Sequence, residues 1–382
     1  MRRLAVLVAL LAVAVAASAC TGSTGAATVG GTSISRATLN EQLAAIVDNA
    51  DAGCVFSTVF APTGATIPGA GEGTVTSEVA STELDDLVVD RLLTQDLAAH
   101  GRAITAADLQ AARADLAAQV SGAVASASQS GSLPAPCRSL SANPVASMPA
   151  VYGDQVVHFL AAQEQFRAMV GNVDISAGAI AQYYQQHQAD FRQVCLHVIV
   201  SNSQAAAQQV HAAVAGGQSF AAAAGGPGAD TQLTPPSGQI PCELPATITS
   251  TFGTALSAAI LGASPGQLLA PAAWTDPSTG GAYWLVVRVD SLTALPLSQV
   301  TSTIREQLLS GTNTVAQAEF RKLVRQADVT VDARYGTWGA TVGLQPPATP
   351  PAATVLNPAA NQAALVRGLP GAGAEPVHAP VA

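Results

Sequence analysis

The stretch Cys195-Leu196-His197-Val198-Ile199-Val200 sets a thiol and an imidazole two positions apart in an apolar run. As a β-strand it points Cys195, His197 and Ile199 to one face and Leu196, Val198 and Val200 to the other. Ligands spaced in this way suit a metal ion, but a structural site takes four ligands and no second pair with suitable spacing follows. No metal is therefore expected. A Cys–His nucleophile fits no better, because the two are too close and the thiol is expected to be oxidised. A histidine alone in a strand is most often a packed core residue.

Five cysteines are present. Cys20 follows an apolar run, and Cys54, Cys137, Cys195 and Cys242 remain as an even set. Three pairings are open to them, and four free buried thiols are the alternative. Keeping each bond within one domain favours Cys54–Cys137 and Cys195–Cys242.

The N-terminus has Arg2 and Arg3, an unbroken apolar run from Leu4 to Ala19, and then Cys20. This is an export signal pattern, shorter than the roughly 20 residues that span a bilayer. Ala17-Ser18-Ala19-Cys20 resembles a bacterial lipobox, whose cysteine is diacylated. The expectation is a signal peptide over 1–19, a lipid-anchored tether over 20–28, and a chain held at the outer face of the cytoplasmic membrane. Removing Arg2 and Arg3 from 16 basic residues leaves 14 against 25 acidic ones, a net charge of −11. No basic cluster occurs, so nucleic acid is not an expected partner.

The elements that would position this chemistry begin with a motif that recurs. Ile34-Ser35 precedes Leu39, Ile104-Thr105 precedes Leu109, and Ile175-Ser176 precedes Ile180. Each reads as an N-cap with a hydrophobic staple, and so as a helix start. Leu84, Leu87, Val88 and Leu92 share one helical face, with Gly101 as its cap. Residues 57–77 hold little core material, and the Ser/Ala/Gly/Pro-rich stretch 121–150 reads as a long loop stapled through Cys137. Between Gln193 and about Ser291 the pattern changes to strand, helices, a Gly/Pro-rich loop and strands. Helices return from Ser298 to about Gln326, then a short extended segment follows. From about Ala340 a Pro/Ala-rich tail is expected to be disordered.

The inserted segment resembles a parvulin-type (PpiC, rotamase) peptidylprolyl isomerase domain. The carrying pieces, in order, are "CLHVIV", "AVAGGQSFAAAA", "GADTQLTPPSGQIP", "FGTALSAAILGASPGQLLAPAAW" and "GGAYWLVVRVD". The flanks "ATVGGTSISRATLNEQL" and "ISAGAIAQYYQQHQADF" resemble extracytoplasmic foldases of the SurA/PrsA type. The resemblance implies an α+β chain: a helical chaperone module over 29–187, a parvulin-like domain with a small antiparallel sheet over 188–295, and a helix and strand over 296–339 returning to the module.

Prolyl isomerisation needs no cofactor or nucleophile. Its barrier is the imide's partial double bond, about 20 kcal/mol. A site lowers it by holding the proline in a dry pocket and favouring the twisted amide. The resemblance assigns His197 to the first site histidine and Asp230, or with a one-residue shift Thr231, to the Cys/Asp position, Asp230 being the better fit. Phe252, Leu256 and Ile240 line the proline pocket. Trp284 takes the place of the second histidine, and an indole donates a hydrogen bond but cannot accept one. Three functions follow as expectations. The first is a membrane-anchored foldase binding unfolded or proline-containing exported polypeptides, with isomerase activity reduced or lost. The second is an active isomerase. The third is an envelope lipoprotein that uses the domain for docking.

Overall fold

The computed structural model describes residues 25–61, 66–69, 74–347 and 354–355. The signal segment and Cys20 lie outside the described residues. The chain divides into two compact units, a helical one formed by the sequence on both sides and an inserted one over Asp174–Gln307.

In the helical unit, strands β1 (Gly25–Val29) and β2 (Thr32–Ser35) form an antiparallel hairpin, and β7 (Val329–Val331) pairs with the other edge of β1. Helices α1 (Arg36–Asp48), α2 (Ala50–Val55), α3 (Ser77–Ala99), α4 (Ala106–Gln129), the short α5 (Pro144–Ser147) and α6 (Ala150–Val170) come between. The stapled starts are real caps. Ser35 Oγ accepts from Thr38 N, and Thr105 with Asp108 closes a reciprocal capping box. Leu84, Leu87, Val88 and Leu92 are all buried, in a core with Leu39, Leu43, Phe56, Leu116 and Tyr152.

Two expectations change here. Residues 121–129 are helical rather than loop, because alanine favours the helix enough to outweigh the serines that bond back onto it. Ser121 and Ser128 donate to the carbonyls of Ala117 and Val124 at 2.8 and 2.7 Å. The tail is also ordered further than expected. Strands β8 (Thr337–Gly339) and β9 (Gly343–Gln345) pair, and Leu344 N donates to Asp85 Oδ1 at 2.8 Å. Beyond it, β10 (Thr354–Val355) pairs with β3 (Thr74–Val75).

The helical interior holds acids. Glu83 on α3 is 3% exposed, and burial alone pushes its carboxyl up to about 8. Asp86 is raised well above the usual carboxylate range by burial and by Glu83 and Asp85. The hydroxyl of Tyr152, on α6, is raised by burial and by the same acids. The Cys54–Cys137 bond is buried in this unit, its residues 0% and 4% exposed.

The inserted unit opens with α7 (Ala177–Gln186), capped by Ser176. It is wider than the expected 188–295 because this helix packs on it. Tyr184 Oη donates to Leu295 O at 2.6 Å, and its ring stacks on Phe191. Then follow β4 (Arg192–Ser201), α8 (Gln204–Ala215), α9 (Phe220–Ala224), α10 (Pro245–Leu261), β5 (Ala272–Thr275) and β6 (Ala282–Ala294). The sheet is antiparallel in the order β4-β6-β5. The helix after it, α11 (Leu297–Leu309), carries the chain back to the helical unit and α12 (Asn313–Gln326).

Candidate functional site

The β4–β6 ladder fixes which residues meet. Ser201 opposes Trp284, Val200 opposes Leu285, and His197 opposes Arg288. Opposed residues share a face. Val194, Leu196, Val198 and Val200 therefore pack with Leu285, Val287, Val289 and α10 on one face. Ile199, Val286 and Trp284 pack with α8 and α9 on the other, and His197 points the same way.

The register breaks once. Leu196 pairs with Val289 and Cys195 with Ser291, which leaves Asp290 as an extra residue in β6. A bulge of this kind re-aims a side chain. Here it delivers the Asp290 carboxylate to His197, whose Nδ1 donates to Asp290 Oδ2 at 2.5 Å. Arg288 Nε donates to Asp290 Oδ1 at 2.9 Å. Arg288 Nη2 also lies 3.1 Å from His197 Nδ1, but with that hydrogen directed at the carboxylate the contact is not a second hydrogen bond. Phe220 completes the cluster, its ring 5.2 Å from the imidazole and 5.1 Å from the Arg288 guanidinium carbon. Gly238 permits this packing, since a Cβ there would stand 2.8 Å from the Phe220 ring.

The apolar candidates lie across the sheet. Phe252 and Leu256 are buried on α10, with Ile240 packed beside them. Gly253, at φ 75°, interrupts α10 and strips carbonyls before it of their helical partners. Trp274 Nε1 takes the place of one partner by donating to Thr251 O at 2.8 Å, and Ser257 Oγ donates to Ile248 O at 3.0 Å. Trp274 thereby lies 6.4 Å from the Phe252 ring and 6.2 Å from that of Tyr283, a half-buried aromatic row.

The residues singled out in the sequence thus do not converge. His197 and Trp284 occupy one face; Phe252, Leu256 and Ile240 occupy the other. Trp284 shares the histidine's face but sits four residues, or about 13 Å, along the strand from Arg288. The groups that meet His197 from β6 are Arg288 and Asp290. The Asp230 carboxylate is engaged by its own loop, accepting from Gln232 N at 3.0 Å and Leu233 N at 3.3 Å. Its backbone amide donates to Val200 O at 2.7 Å. Cys195 is bonded to Cys242. Among the described residues no group of three or more His, Cys, Asp or Glu could hold a metal ion.

Sequence reading missed Arg288, Asp290, Trp274 and Tyr283. The charges of Arg288 and Asp290, two apart in an apolar strand, were a signal. Their partner depended on the register and its bulge.

Residues 175–302 match the family model of the PPIC-type PPIASE domain. No curated protein matches the chain. Among solved structures, the foldase PrsA of Lactococcus lactis is 16% identical, covering 81% of this chain and 96% of its own, with a TM-score of 0.34. PrsA of Streptococcus pneumoniae is 13% identical over 64% and 83%, with a TM-score of 0.32. One of two SurA-like chaperones of Campylobacter jejuni is 11% identical over 81% and 99%, with a TM-score of 0.26. Residues 175–302 are thus similar to the PPIC-type PPIASE domain family, about a third of the chain.

Proposed function

We propose that the chain is an extracytoplasmic folding factor, anchored to the membrane through Cys20, that binds unfolded exported polypeptides. Its isomerase domain works with reduced prolyl activity or none. One observation carries the second part. His197 is tied to Asp290 and neighbours Arg288 on one face of the sheet, while the aromatic and aliphatic candidates for a proline pocket lie on the other. Lowering the rotation barrier requires polar groups aimed at the twisted amide beside the bound ring. The distribution of residues here favours binding over catalysis. The match of 175–302 to the PPIC-type family supports a polypeptide as the ligand class.

The test uses the mature chain in two assays. Aggregation of an unfolded client is expected to be suppressed. In a protease-coupled prolyl peptide assay the rate is expected to stay near the uncatalysed one, with His197→Ala indistinguishable from the wild type. Acceleration that His197→Ala abolishes would make the protein an active isomerase instead. Failure both to bind and to protect a client would remove the folding-factor reading.

A further inference from the structure

The two disulfides differ in access. Cys54 and Cys137 are sealed in the helical core, whereas Cys195 and Cys242 are only partly buried. The partly buried bond ties the end of a loop to β4. That loop, residues 234–243, lies along the edge of β4 that β6 does not use. It is held there by Val198 N to Gly238 O at 2.6 Å, Ile240 N to Leu196 O at 3.2 Å, and a reciprocal pair between Val194 and Glu243 at 2.8 and 2.9 Å. Pro235, Pro236 and Pro241 lie in the same loop and have no amide hydrogen to donate. The backbone ladder is therefore sparse, and the disulfide is its covalent closure. Cys195 is also two residues from His197, next to the register break that positions Asp290.

We propose that Cys195–Cys242 is a thiol–disulfide exchange site that takes a dithiol as its partner, and that its opening releases the 234–243 loop from β4. A thiolate of the dithiol attacks one sulfur of the bond. The S–S bond breaks, and the other cysteine leaves as a thiolate and takes up a proton. The second thiol of the partner then resolves the mixed disulfide. Two cysteine thiols are formed, and the dithiol is oxidised to its own disulfide. Release leaves backbone groups of Val194, Leu196 and Val198 unpaired on an open strand edge beside His197, the kind of edge that accepts an extended chain.

The experiment exposes the mature chain to graded dithiothreitol, alkylates free thiols, and measures each cysteine by peptide mass spectrometry. Cys195 and Cys242 are expected to be alkylated at a dithiothreitol concentration about tenfold or more below that needed for Cys54 and Cys137. At that concentration, amide hydrogen exchange of 234–243 is expected to rise about tenfold or more, with α3 and α6 unchanged. A Cys195→Ser/Cys242→Ser variant should show the same loop exchange without reductant. If that variant does not fold, the partly reduced wild type gives the same readout. Alkylation of all four cysteines together, or an open bond with unchanged loop exchange, would overturn the proposal.

Discussion

Glu83 of the helical unit and Asp290 of the inserted unit are carboxylates handled in opposite ways. Glu83 is 3% exposed and kept neutral by burial, its carboxyl pushed up to about 8. Asp290 stays half-buried and is held by a histidine and an arginine. The disulfides follow the same division, one sealed and one only partly buried. The helical unit hides its polar chemistry in its core, where it governs stability. The inserted unit arranges its own on a sheet face and edge, where it can meet another molecule. A buried acid is costly unless it is protonated or paired, so the two units have taken the two available solutions.

The largest effect expected from this contrast lies in the disulfides. Replacing Cys54 and Cys137 by serine should destabilise the helical unit by roughly 4–5 kcal/mol, from loop entropy at a separation of 83 residues. The same change at Cys195 and Cys242, separated by 47, should cost the inserted unit about 4 kcal/mol or less. Urea unfolding followed separately in the two units measures both, and equal losses of local protection would break the contrast.

The next effect is pH dependence. A raised carboxyl favours folding in full below its unfolded value near 4.5, and that contribution is lost as pH rises to about 8. Stability of the helical unit should fall over that window by on the order of 4 kcal/mol. Glu83→Gln should reduce the fall, leaving a slope of the same sign from Asp85 and Asp86, whose carboxyls are also raised. An unchanged profile in the variant would show that Glu83 is not the hidden acid.

The smallest effect comes from His158 on α6, raised by its 2.8 Å hydrogen bond to Asp90. Its contribution is complete below the ordinary value near 6.5 and disappears as pH rises through the raised one. His158→Gln should remove a shallow step from the same titration. With the side chain 35% exposed, solvent screening keeps that step below the Glu83 effect.

The helix starts were legible because caps and staples are local: Ser35, Thr105 and Ser176 each declare themselves within four residues. The α+β class and the inserted domain were legible from the order of the pieces around "CLHVIV" and "AYWLVVRVD". The site was less so. His197 and Asp290 are 93 residues apart, and their meeting depends on a bulge that no alternation of residues announces. Trp284 looked like the partner of His197 by its place in the motif. One strand register moved that role to Arg288. Gly253, unremarkable in an apolar helix pattern, recruits Trp274 by freeing a carbonyl.

The pairing of β1 with β7 also sets an order in time. Val29 meets Val329 across the whole length of the inserted unit. Synthesis at 5–20 residues per second separates the emergence of these two strands by roughly 15–60 s. Throughout that interval β1 has its hairpin partner on one side and no strand on the other. The inserted unit is continuous in sequence and waits for nothing downstream of its own last helix. It is expected to be finished while the helical unit still lacks its closing strand, so the chain passes through an extended period with one strand edge uncovered.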